Sequence, residues 1–105
     1  MTTMTVKDRS IEVNEEGFLV NPDDWNEEIA QEIATREDVG ELKEEHWKVI
    51  RFMRDDFQAN GKVPTIRRMK KTGGVPVKDI YRLFPKGPAK KAAKIAGLSK
   101  PEGCV

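Results

Sequence analysis

The sequence predicts a mainly α protein with a small β element: an N-terminal β-hairpin packed on an orthogonal helical bundle, with a helix-turn-helix-like core and an extended C-terminal arm. Three observations carry this. Leu42, His46, Val49, Ile50, Met53 and Phe57 fall on one face of a long uninterrupted helical pattern. Ser10 to Val13 alternates polar and apolar, followed by turn chemistry. Glycine and proline then divide the remainder into short segments of helical length. A chain of 105 residues suffices for one domain with a modest core, here divided into a hairpin region 1–21, a helical bundle 22–97 and an arm 98–105.

The elements follow in order. Ile11 and Val13 share a face, Asn14-Glu15-Glu16-Gly17 turns, and Phe18-Leu19-Val20 reads as the returning strand. Two strands alone are marginal in water, so the hairpin must rest on a helix. Pro22-Asp23-Asp24 starts the first helix, capped by one of the aspartates, with Trp25, Ile29 and Ile33 as its buried stripe. The long helix runs from about Lys43 to Asn60 and stops at Gly61. Lys43 is a poor cap, so this entry frays unless a neighbouring side chain substitutes. Pro64-Thr65 opens a short helix with Ile66 and Met69, closed by Gly73-Gly74. Pro76 starts another, with Val77, Ile80, Tyr81 and Phe84 inward, and Pro85 stops it. Gly87-Pro88 launches the last helix, with Gly97 as terminator. Its Ala89, Ala92, Ala93 and Ala96 form a small-residue stripe suited to close packing.

Composition excludes several classes. No apolar run approaches the ~20 residues needed to span a bilayer, and Met1 to Lys7 lacks a signal-peptide core. A soluble cytoplasmic protein without membrane attachment is expected. The net charge of +1 hides a division: residues 1–46 hold 14 acidic and 4 basic side chains (net −10), and residues 47–105 hold 4 and 15 (net +11). Either the halves neutralise each other, or a basic face awaits an acidic protein or nucleic acid. One histidine, His46, and one cysteine leave no set of metal ligands, and His46 reads as a hydrogen-bonded core residue. Trp25 and Trp47 read as core anchors, and Arg51 and Arg54 as partners for N-terminal acids or as solvated cations. No catalytic triad or phosphate-cradling loop is present, and no cofactor is expected.

Cys104 is the remaining chemical group. A lone cysteine is commonly a buried small hydrophobe. This one is penultimate and follows Pro101 and Gly103, where burial is hard and access is easy. An accessible thiol can be capped, oxidised or persulfidated. The neighbouring carboxylate of Val105 disfavours the thiolate, while Lys90, Lys91, Lys94 and Lys100 oppose that effect.

The stretch Leu83-Phe84-Pro85-Lys86-Gly87-Pro88-Ala89-Lys90, then Lys94 to Leu98 and Lys100-Pro101-Glu102-Gly103-Cys104-Val105, resembles the signature of the DsrC/TusE family of small sulfur carriers. That family includes the gamma subunit of dissimilatory sulfite reductase. Glu16 to Leu19, Asp24-Trp25, Glu45-His46-Trp47 and Asn60-Gly61 with Pro64 resemble its earlier landmarks. The resemblance implies that Cys104 takes up sulfane sulfur as a persulfide and hands it to a partner, or enters the active-site channel of sulfite reductase. It implies a carrier, not a free-standing enzyme, with sulfur-donor and sulfur-acceptor proteins as partners. Many sulfite-reductase-associated members have a second cysteine eleven residues earlier. Here that position is Ala93, which forbids an internal disulfide or trisulfide and suits single-cysteine members such as TusE, which serve tRNA thiolation. Two features point the other way. The segment from Met69 to Tyr81 is short, lacking the insertion common in TusE-like members, and Gly103-Cys104-Val105 is DsrC-like. A generic persulfide carrier therefore ranks above either named pathway. A different class, a nucleic-acid-binding regulator, rests on the helix-turn-helix pattern of residues 45–84 and its basic Arg67, Arg68, Lys70, Lys71, Lys78 and Arg82. Few of these can read base edges, so the basic groups are expected to dock acidic proteins.

Overall fold

The alternation at the N-terminus is longer than the sequence pattern predicts. In the computed structural model, which describes residues 2–99, strand β1 (Thr2–Val6) pairs antiparallel with β2 (Arg9–Val13). Lys7 takes a positive φ of 53° in the connecting turn. Met4 lies opposite Ile11, and Met4, Val6, Ile11 and Val13 are all buried. The hairpin expected between Ser10–Val13 and Phe18–Val20 is thus corrected. β2 finds its main partner upstream, because the β-prone Thr-Thr-Met-Thr-Val run presents a full five-residue edge. The downstream segment adds only a bridge between Val13 and Leu19. The Asn14 side chain turns the chain there, accepting from the amides of Glu16 and Phe18.

The first helix also starts later than predicted. Pro22–Asp24 forms a 3-10 turn, and α1 spans Glu27–Arg36. Asn26 caps it, its side chain accepting from Ile29 N at 2.9 Å. The buried stripe is Ile29, Ala30, Ile33 and Ala34. Trp25 lies outside the helix and is therefore free to reach elsewhere.

Helix α2 (Glu44–Asn60) buries Val49, Ile50 and Met53 and ends at Gly61, whose φ is 73°. A lysine side chain offers no acceptor, and the entry is held by His46 instead. Its Nδ1 accepts from Lys43 N at 3.0 Å, while Nε2 donates to Leu83 O at 3.1 Å. Phe84 meets the ring edge-on at 5.4 Å. These two bonds fix the neutral tautomer, with the proton on Nε2. Burial lowers the His46 pKa, aided by Arg82 and Lys43 and opposed by the Leu83 carbonyl and Glu45. Its contribution to stability is therefore complete above about pH 6.5 and is lost as pH falls through the lowered native value. Urea midpoints should drop between about pH 7.5 and pH 5 in the parent and drop less in His46→Gln. Parallel curves would contradict this role. Asp56, which Arg68 holds below the ordinary carboxylate value, contributes its stability in full above about pH 4 and loses it as pH falls below that.

Helices α3 (Ile66–Lys71) and α4 (Val77–Leu83) pack on each other, α3 also against α2, completing the helix-turn-helix-like middle. Thr65 caps α3 through Arg68 N. Helix α5 (Pro88–Ile95) has proline in its first turn and packs on α1, α2 and α4. All four stripe alanines are buried, Ala92, Ala93 and Ala96 completely, so the packing reading of the stripe holds. Leu98, expected to begin the arm, is 3% exposed and belongs to the core. Among the described residues no helix is long and apolar enough to cross a membrane.

Candidate functional site at the end of the last helix

Cys104 lies outside the described residues, as do Lys100, Pro101 and Gly103. What the structure defines is the platform from which they leave. α5 ends in a double turn: Leu98 N donates to Ala93 O at 3.0 Å, and Gly97 N to Lys94 O at 3.1 Å, with Gly97 at φ +73°. This is the Schellman arrangement, and it satisfies two of the four carbonyls that a helix leaves open at its C-terminus. The other two are taken by side chains. Trp25 Nε1 donates to Ile95 O at 2.8 Å, and Arg54 Nη1 donates to Ala96 O at 2.7 Å. The Arg54 guanidinium lies 4.0 Å from the centre of the Trp25 ring, a cation–π contact.

Two sequence readings are corrected here. Trp25 is half-buried as expected of an anchor, yet its ring packs on Gly97 rather than along α1. Arg54 neither pairs with an N-terminal acid nor stays solvated. It is half-buried, and burial lowers its pKa, against which Asp23 and Asp55 act from a distance. Arg54 is the site residue that local pattern reasoning misses. The one available signal was its position beside the apolar stripe, one residue after Met53.

The helix lysines are divided. Lys91 Nζ donates to Glu37 O at 2.7 Å. Lys94 pairs with Glu37 at 3.2 Å and lies 5.2 Å from the centre of the Phe18 ring. Both therefore tie α5 to the end of α1, and Lys90 is the exposed one of the three.

The basic middle is partly committed too. Arg68 grips the buried Asp56 through Nε and Nη2 at 2.7–2.9 Å, and Asn60 also donates to that carboxylate. Arg82 pairs with Glu45 at 2.7 Å and Asp79 at 3.5 Å. Arg68 and Arg82 are thus engaged by acids, leaving Arg67, Lys70, Lys71 and Lys78 as exposed cations of that cluster outside these ion pairs. Arg82–Glu45 and Lys94–Glu37 are ion pairs that join the acidic and basic halves. No group of side chains able to hold a metal ion occurs among the described residues.

A small hairpin on a helical bundle, with its last helix clamped at the end by Trp25 and Arg54, defines the class of domain. The chain belongs to the DsrC-like protein family, whose profile matches residues 5–105. It is 42% identical over 105 residues to the dissimilatory-type sulfite reductase subunit gamma of Nitratidesulfovibrio vulgaris, covering 100% of both chains. It is 40% identical over 112 aligned positions to the sulfurtransferase TusE of Photorhabdus laumondii, again covering 100% of both. The oxidized gamma subunit of dissimilatory sulfite reductase from Archaeoglobus fulgidus superposes with a TM-score of 0.81 at 42% identity, covering 99% of this chain and 100% of that one.

Proposed function

We propose that this protein is a sulfur-relay carrier of the cytoplasm that holds sulfane sulfur as a persulfide on Cys104. The observation that carries the reading is the sole cysteine, penultimate in a chain whose whole length aligns with a sulfite reductase gamma subunit and with a TusE sulfurtransferase. In the loading step the Cys104 thiolate attacks the outer sulfur of a donor persulfide. The donor's S–S bond breaks, its thiolate leaves, and Cys104 gains the S–S bond. Unloading is the same exchange with an acceptor thiolate, so neither step needs an oxidant or reductant. With alanine at position 93, no second thiol in the chain competes for the sulfur.

Two pathways remain as partners: dissimilatory sulfite reductase and tRNA-thiolation proteins. One observation favours the first. The gamma-subunit match uses 105 aligned positions for 105 residues, while the TusE match uses 112, seven more than this chain has. The exposed Arg67, Lys70, Lys71 and Lys78 supply a surface for an acidic partner protein. Arg68 is set aside as a docking residue because Asp56 engages it. The regulator reading weakens for the same reason, since Arg68 and Arg82 are both held by acids.

The test is mass spectrometry after incubation with polysulfide or a cysteine-desulfurase system. Each sulfur should add ~32 Da to the parent and none to Cys104→Ala. Sulfur retained by that variant would sink the carrier role.

A further inference from the structure

The last turn of α5 is closed more completely than a helix end requires. The carbonyls of Ala93 and Lys94 are satisfied by the chain itself, and those of Ile95 and Ala96 by Trp25 and Arg54. Helix ends are ordinarily finished by water or allowed to fray. Here two residues distant in sequence, one before α1 and one within α2, converge on adjacent carbonyls. They also brace each other, ring against guanidinium at 4.0 Å. A Cβ at Gly97 would meet three Trp25 atoms within 2.4–2.9 Å, so the indole is seated directly on the turn.

The choice of arginine is informative. Arg54 is in none of the salt bridges among the described residues; burial works against its charge, and Asp23 and Asp55 offset this only from a distance. An apolar side chain of similar length would fill the same space without that desolvation cost. What the guanidinium adds is a directed bond to one carbonyl. Leu98 is buried and Ser99 is exposed, so the clamp acts where the chain leaves the core, five residues before Cys104 in the sequence.

We propose that Trp25 and Arg54 are positioning residues: they lock the end of α5 so that Ser99, the residue that follows the cap, is held at one point. The proposal rests on the carrier role of Cys104 for its purpose. A tethered thiol works at an effective concentration set by where its tether begins and how long it is. From Ser99 to Cys104 the chain spans at most about 18 Å. Fraying back to Ala93 would release Ser99 from that point.

The experiment measures the departure point itself. In a Cys104→Ser background, nitroxide labels are placed on Ser99→Cys and Lys78→Cys, and the distance distribution is recorded by pulsed electron resonance. A narrow distribution is expected with the clamp intact. Trp25→Phe keeps the ring but removes the bond to Ile95. Arg54→Met keeps the packing length but removes the bond to Ala96. Each should broaden the distribution, and together about twofold or more, since the reach of a flexible segment grows as the square root of its length. Arg54→Lys should recover only part of the width, lacking the planar fork. Thermal unfolding of each variant separates a lost clamp from a lost fold: a role confined to stability would lower the midpoint and leave the native-state width unchanged. Unchanged width in the double variant would overturn the proposal. Failure of the carrier reading would look different, as a parent chain that takes up no persulfide while its label distribution still depends on Trp25 and Arg54.

Discussion

Gly97→Ala should cost about 2–5 kcal/mol, while Gly61→Ala should cost only about 1 kcal/mol. Both glycines terminate helices at φ +73°, so both pay the same conformational penalty for gaining a Cβ in the left-handed region. Their surroundings differ. Nothing lies within 4 Å of a Cβ built at Gly61, whereas at Gly97 it would lie 2.4 Å from Trp25 Cδ1 and 2.7 Å from Cγ. The ring cannot retreat cheaply, because its indole nitrogen is bonded to Ile95 O and its face carries Arg54. Urea unfolding of the pair isolates the packing contribution, since the backbone contribution cancels in the difference. Equal costs at the two positions would show that the indole does not rest on the turn as tightly as these distances require.

The helices were the most legible part of the fold. The long stripe from Leu42 to Phe57 fixed α2 to within a residue of its observed start, because a 3.6-residue period sustained over four turns has few alternatives. The glycine and proline boundaries of α3, α4 and α5 held for a similar reason, since those residues act on the backbone locally. What local pattern could not supply was competition between neighbours. Trp25 matched the spacing of Ile29 and Ile33, but Asn26 is a better cap than either aspartate's position allows, and it moved the helix start past the tryptophan. β1 was missed because Lys7-Asp8 lacks the Asn-Gly or Asp-Gly signature of a tight hairpin turn. His46 was read as a bonded core histidine and Lys43 as an inadequate cap. The structure joins the two observations in one hydrogen bond.

The site was legible by motif and not by geometry. Cys104 was singled out from position and from family resemblance, and it lies outside the described residues. The clamp at the end of α5 was invisible to sequence reasoning: Arg54 meets Ala96 across 42 positions and Trp25 meets Ile95 across 70. No periodicity or capping rule reports such a contact. The same holds for the basic cluster, where sequence shows six cations and only the fold shows that Arg68 and Arg82 are engaged by acids.

Ala93→Cys should convert this protein from a single-thiol carrier into one that closes on itself. In the parent, mild oxidation can yield only mixed disulfides or Cys104-linked dimers, because the chain has one thiol. The substitution adds a single sulfur at a fully buried position where alanine already packs, and a free cysteine behaves there as a small hydrophobe. The introduced thiol should therefore alkylate about tenfold more slowly than Cys104, with the difference vanishing in denaturant. Closure is favoured by the cap. The turn at Gly97 reverses the chain and brings Leu98 N to 3.0 Å from Ala93 O, so the backbone of Leu98 starts one hydrogen bond from that of residue 93. The α-carbons must then approach within about 7 Å. Six residues from Leu98, including Pro101 and Gly103, have the length to return that far. A non-reducing gel and a thiol count on the oxidised variant decide the matter: the expected product is a monomer with no free thiols. If both thiols stay free under oxidation that dimerises the parent, the terminus is directed away from α5. The alanine at 93 would then reflect packing alone, and a cysteine placed there would not by itself create an internal disulfide.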